Sequence, residues 1–306
     1  MRIRQSIRRQ VYATVHGQGL DYRRYDRPDG DPGLFGPDSV VWLVHGDIPG
    51  MFTGGLAALM LQSLHPLAMA GVDQHSRYRE DPIDRLNRTA GFVTVTSYGS
   101  TAEAEAAIER VRRVHDHVRG VAPDGRPYDA ADPELLRWVH VAETACFLAG
   151  YQRYAPTPLT RDQQDRYFDE YGRVAESLGA TGVPRSLDEV RAYLREVRPQ
   201  LAAGEAALAA VEFLLTPGAL VRDRFRGLAL RVLVAGAVDL LPDWAAAELC
   251  LPRRGLLRVS RDRAAVRAVA SVLRYGCEPS AVITTARARA LRPAAVRGGT
   301  PAPPRG

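Results

Sequence analysis

The residues whose types and spacing could do chemistry begin with a histidine in a run of arginines. From Ile108 to Gly120 the chain reads IERVRRVHDHVRG. Ile108, Val111, His115 and Val118 recur at helical spacing, which sets His115 on the apolar stripe of a basic helix. His117 would diverge from it by about 200° on the 3.6-residue period, so the two are poorly placed to chelate one metal. A single imidazole aimed into a core is either a hydrogen-bonded packing residue or an axial ligand of the kind haem iron requires. Arg85, Arg88 and Thr89 form a second group at i, i+3 and i+4, on one helix face. Two guanidinium groups and a hydroxyl directed one way need an anionic partner once buried, and haem propionates would serve. Left in solvent, the same face pairs with Glu80, Asp81 or Asp84.

His65 precedes Pro66, where an apolar helix must break. It could orient bound oxygen or move a proton, or simply bond a carbonyl at the helix end. His75 lies in a polar run and is read as exposed or capping. Trp138 and His140 fall in a buried-looking helix on different faces, Trp138 with Leu135 and Ala142, His140 with Leu136, Glu143 and Phe147. Each is either a core residue, with a His–Glu contact at His140, or a cofactor contact. The three Cys and seven His show no HExxH or other metal spacing. No GxSxG elbow, P-loop or GxGxxG after a strand is present, which leaves serine hydrolase and nucleotide-binding classes unsupported.

The elements that must position these groups are helical. Asp47 and Pro49 open an apolar helix over Met51–Leu64, read as central and buried, which His65-Pro66 bends. Asp81-Pro82 opens another; Thr94–Tyr98 reads as a strand or as its helical end, with Gly99 as a stop. Ser100 to Gly120 is predicted to be one helix, and Pro123–Pro133 a turn-rich connection. Glu134–Tyr151 and Arg161–Leu178 follow, the first apolar on more than one face. Ser186 caps the next helix, with Glu189 completing a capping box. Further helices are predicted near 202–215, 219–241, 243–249 and from Arg261 into the early 280s. The fold class is all-α. Residues 1–38 are read as an N-terminal extension, 39–290 as one helical domain, and 291–306, rich in Pro, Gly and Arg, as a disordered tail.

The 306 residues are 46% hydrophobic and 25% charged, enough for one large core. All 41 basic residues are Arg, which reads as codon bias rather than function. A net charge of +6 would suit an anionic ligand or peripheral contact with a membrane surface. The arginines are scattered among 35 acids without an aromatic-interleaved strip, so nucleic acid is not an expected partner. Cys146, Cys250 and Cys277 are far apart and read as buried thiols in a reducing compartment; a thiolate axial ligand is the lesser alternative. Arg8-Arg9 is followed by no apolar run, and no segment meets the roughly 20-residue criterion for a spanning helix. The expectation is a soluble cytoplasmic protein.

In order along the chain, His65-Pro66, Asp81-Pro82, Arg85-x-x-Arg88-Thr89, Tyr98-Gly99, Val111-Arg112-x-x-His115-x-x-Val118-x-Gly120, Tyr128, Asp132-Pro133 and Trp138-Val139-His140 resemble the MpaB-like oxygenases, with a weaker echo at Leu241-Pro242-x-Trp244. These share their catalytic domain with the bacterial latex-clearing (rubber) oxygenases. The resemblance covers roughly Val40 to Arg254. It implies a globin-related helical core around a haem b pocket, with iron held by His115 and with Arg85, Arg88 and Thr89 at that pocket. Two departures stand out. The rubber-cleaving members carry Lys where this chain has Arg88, and Arg stays protonated and is a poor iron ligand. Their catalytic glutamate lies upstream of that run, where this chain reads LHPLAMAG, without an acid. Polyisoprene cleavage by their mechanism is therefore not implied.

Three readings follow. The first is a haem b-dependent oxygenase or oxidase that uses O2 on a small, apolar, isoprenoid-like substrate. His115 would be its metal ligand, Arg85, Arg88, Thr89, Trp138 and His140 its cofactor contacts, and His65, Arg88 and Thr89 its catalytic groups. The second is a non-catalytic haem-binding or sensor protein. The third is a cofactor-free helical interaction protein.

Overall fold

The computed structural model describes residues 23–76, 80–216, 224–277 and 280–293. Its helices are α1 (Arg23–Asp26), α2 (Val40–Gly46), α3 (Ile48–Gln62), α4 (Pro66–His75), α5 (Pro82–Tyr98) and α6 (Thr101–His115). After a hairpin of β1 (Arg119–Val121) and β2 (Pro127–Asp129) come α7 (Pro133–Tyr154), α8 (Arg161–Leu178), α9 (Leu187–Val197) and α10 (Glu205–Leu215). The series closes with α11 (Arg224–Leu240), α12 (Asp243–Glu248), α13 (Leu256–Cys277) and α14 (Ala281–Leu291). The all-α class holds. Thr94–Tyr98 is helical, and Ser39 caps α2 by accepting from the Trp42 N–H.

Helix α3 is the centre, and small residues let α7 lie against it. A Cβ on Gly54 would stand 2.6 Å from the Cys146 carbonyl oxygen, and one on Gly150 would collide with that of Gly50. These pairs run the two helices antiparallel in close contact. The Pro66 ring cannot continue α3, and α4 leaves it at 103°. Among the described residues no single helix is long and apolar enough to cross a membrane; the bent α3–α4 pair passes such a test only when its halves are joined. Asp239, buried at the α11 end, accepts from Arg153 of α7 and Arg263 of α13 at 2.8–3.1 Å, pinning three helices together.

Some expectations are corrected. Helix α6 stops at His115, five residues before Gly120. Gly120 instead pairs with Tyr128 across the antiparallel hairpin. The Val118 N–H and C=O bond the His115 carbonyl and the Ala130 N–H at 3.0 and 2.9 Å, which turns the chain away from the helix axis. A Cβ at Gly120 would lie 2.5 Å from the Tyr128 hydroxyl, so the close crossing needs a glycine. The helix expected from Arg261 into the 280s is two: α13, which starts at Leu256, and α14. Cys250 is exposed, on a left-handed turn of φ 55°, whereas Cys146 and Cys277 are buried.

Within the segment read as an N-terminal extension, Tyr25 of α1 is buried, and its carbonyl accepts from Arg289 of α14 at 3.1 Å. The tail beyond 293, the segment before Arg23 and the start of the helix expected at 219 lie outside the described residues.

Candidate functional site

His115 is the last residue of α6 and is half-buried. Burial holds its pKa below the usual histidine value, against the opposing charges of Asp116 and Asp129. The ring makes no hydrogen bond to any described residue, and Nδ1 is fully enclosed. A buried ring nitrogen without a partner is costly, and a metal bond is one way to satisfy it. With α6 ended at His115, His117 points outward and bonds the Arg113 carbonyl at 2.7 Å.

The hairpin that follows His115 also holds the end of α4. His75, at the end of α4, meets both the Arg119 carbonyl (3.2 Å) and the Tyr128 hydroxyl (3.1 Å) through Nε2. Its neighbour Ser76 accepts from Arg85 at 2.9 Å, which brings the half-buried Arg85 guanidinium to the same end of α4. Asp129, two residues before Ala131, adds its charge at His115. The described contacts therefore run Arg85 to Ser76 and His75 to the hairpin, and the backbone leading into the hairpin bonds the His115 carbonyl.

Arg88 and Thr89 stand apart. Arg88 is two-thirds exposed and pairs with Asp84 at 3.0 Å, one turn away. Thr89 is exposed and donates to the Arg85 carbonyl at 3.2 Å. Both lie at the solvent edge of α5.

His65 is buried at the α3–α4 break. Its Nδ1 is enclosed and has no partner among the described residues, and the ring leans on Trp138 with centroids 6.0 Å apart. Burial, with Arg126 adding to it, pushes its pKa down to about 4, so the ring is neutral at pH 7. Trp138 is wholly buried and spends its N–H on the Gln62 carbonyl at 3.2 Å, locking α7 to the end of α3.

His140 belongs to a deeper cluster. It stacks on Tyr171 at 5.5 Å and 29° and makes no bond to Glu143. Burial lowers its pKa to about 3. Beside it His45 is clamped between Ser97 Oγ (2.7 Å) and the Tyr167 hydroxyl (3.0 Å), its pKa also near 3 from burial. Tyr167 and Tyr171 stack at 6.3 Å.

Glu143 and His45 had no chemical role on sequence grounds. Glu143 makes no hydrogen bond or ion pair with a described residue, and burial pushes its carboxyl up to about 7. A carboxylate open to bulk water would not rise so far. Glu143 is only partly covered by the fold. One turn before it, Val139 is also uncovered, and the Val139 carbonyl accepts from Gln62 of α3 at 3.0 Å. An exposed valine and an acid thus lie one turn apart beside the α3–α7 seam. The sequence signal was an acid inside the apolar run WVHVAETACFLAG. His45 could be found only through partners 52 and 122 residues away.

No cluster of three or more His, Cys, Asp or Glu among the described residues could hold a bare metal ion.

Comparison with known families gives one match, to the family described as ER-bound oxygenase mpaB/B'/Rubber oxygenase, catalytic domain, over residues 42–275. That is most of the chain, and the chain belongs to this family. No curated protein and no solved structure matches it.

Proposed function

We propose that this member of the mpaB and rubber oxygenase catalytic domain family is a haem b-dependent oxygenase that acts with O2 on a small, largely apolar substrate. The observation that carries the proposal is His115: a ring kept neutral by burial, with an enclosed nitrogen that no described residue satisfies. A metal ligand must be deprotonated, and this ring is so without further cost at neutral pH.

When bound, haem iron would supply the activation of dioxygen. The chain's own groups do the rest. His115 would hold the iron. Arg85, half-buried beside Ser76, would pair a propionate. Arg88 and Thr89 sit at the rim, where Arg88 would exchange Asp84 for a second carboxylate. Trp138 holds the α3–α7 seam, and His140 supports the inner wall through Tyr171. His65, neutral and with a free Nδ1, is fitted to orient a polar atom rather than to act as a base at pH 7. Glu143 can hold or release a proton near neutrality beside the apolar Val139, a suitable pairing for oxidising an apolar molecule. An isoprenoid-like alkene is the narrower form of the substrate reading. A cytoplasmic setting accords with the three unbridged thiols.

A second reading, a haem-binding or sensor protein without turnover, is favoured by the lack of an acid in LHPLAMAG next to His65. The test is hemin titration of the purified protein and of His115→Ala, followed by oxygen uptake with apolar alkenes. A Soret band that depends on His115 and substrate-dependent uptake support the oxygenase. The band without uptake supports the sensor. No specific band, or stoichiometric haem retained by His115→Ala, overturns the His115 assignment.

A further inference from the structure

We infer that the corner opening α13 is a docking tip for an anionic lipid surface. Leu256 and Leu257 are 86% and 90% exposed, the two most exposed large apolar side chains among the described residues. They are the first two residues of a 22-residue helix. Side chains on a helix tilt toward its N-terminus, so these two lean off the end rather than along the flank. Exposed leucines scattered singly mean little, but an adjacent pair at a projecting helix end is shaped for insertion.

The charge around the pair selects the partner. Arg253, Arg258 and Arg261 are exposed about the same corner, in the run LPRRGLLRVSR. The nearby acid, Asp262, is mostly buried and already shared by Arg254, Arg258 and Arg261 at 3.5–3.9 Å, which leaves the corner net positive. No acid occupies the first turn of α13, so the positive end of its helix dipole adds to the arginines. Apolar anchors ringed by cations match the interfacial layout of acyl chains beneath anionic headgroups.

A second copy of the chain is the poorer occupant. Two leucines offer a few hundred Å² at most, against about 800 Å² per partner in a stable protein interface. A bilayer needs no such area, because insertion and charge act together. The inference stands whether or not the chain binds haem.

The experiment is sedimentation of the full chain with vesicles of phosphatidylcholine alone and of phosphatidylcholine mixed with phosphatidylglycerol. Binding to the mixed vesicles only is expected, weakening as salt rises. Leu256→Ser with Leu257→Ser should weaken it about tenfold or more. Arg258→Gln with Arg261→Gln should weaken it several-fold and flatten the salt dependence. Both positions are open to solvent, so thermal unfolding of the leucine variant should match the parent. A second arm uses Leu257→Trp with bromine-labelled acyl chains, in which added quenching over the parent is expected. Binding unchanged in the leucine variant, no binding to either vesicle, or a halved mass by light scattering in that variant would each overturn the inference.

Discussion

Asp47 and Arg274 stand 227 residues apart and close the molecule on itself. One carboxylate oxygen of Asp47 accepts from the Gly50 N–H at 2.9 Å, capping the central helix α3. The other accepts from two nitrogens of Arg274, at 2.7 and 2.9 Å, and Arg274 also donates to the Tyr154 carbonyl at 2.7 Å. One ion pair thus joins the start of α3, the end of α7 and α13. Arg274→Met should destabilise the fold by about 3 kcal/mol, because it strands a buried carboxylate. Asp47→Asn, which can keep the cap, should cost less. Urea unfolding of both variants measures this, and equal losses would contradict the ordering.

Arg289 is wholly buried, and its guanidinium bonds no carboxylate among the described residues. It donates to the carbonyls of Tyr25, Asp31, Tyr98 and Gly99 at 2.9–3.1 Å. Arg289→Met would leave four acceptors without their donor, for a loss of about 3–5 kcal/mol. Arg289→Lys should recover little, since an ammonium cannot span the same fork. Chemical denaturation decides it; a Lys variant as stable as the parent would show that charge, not geometry, holds the N-terminal segment.

Three buried histidines set an acid limit on stability. His45, His140 and His65 have folded pKa values near 3, 3 and 4, against 6.5 when unfolded. The unfolded chain therefore binds more protons below pH 6.5, and stability is lost as pH falls from about 6.5 toward 4. His65→Gln should flatten part of that slope. The slope of unfolding free energy against pH, measured on both proteins, checks it.

Glu143 works in the opposite sense. Its carboxyl titrates near 7 in the folded chain, against 4.5 unfolded. Above pH 4.5 the unfolded state sheds the proton more readily, so Glu143 costs stability as pH rises through 7. Glu143→Gln should stabilise the protein by roughly 2–3 kcal/mol at pH 8 and by little at pH 5. If oxygen uptake is found, the same variant should lower it. Stabilisation together with lost activity is the signature of a group held at a cost for its chemistry. Equal stability of the two proteins at pH 8 would mean that the carboxyl is solvated after all.

Much of the helical plan was legible because its signals are local. Thr160 and Gln163 bracket α8 in a reciprocal cap, Ser186 caps α9, and Pro66 breaks the central helix, each within four residues of its effect. The hairpin was missed because its strands are three residues each and Gly120 looks like a helix stop. Its reason for being there, the Tyr128 hydroxyl against the Gly120 backbone, is a contact between strands.

The sequence by itself determined the all-α class, the break after α3 and the family, since all of these rest on spacing along one chain. Only the tertiary structure decided which of the candidate groups are enclosed. It left Nδ1 of His65 and of His115 enclosed with no partner among the described residues, set Arg88 and Thr89 at the solvent edge, and pushed the Glu143 carboxyl up toward neutrality. Desolvation depends on everything packed around a group, and those neighbours come from helices far apart in sequence.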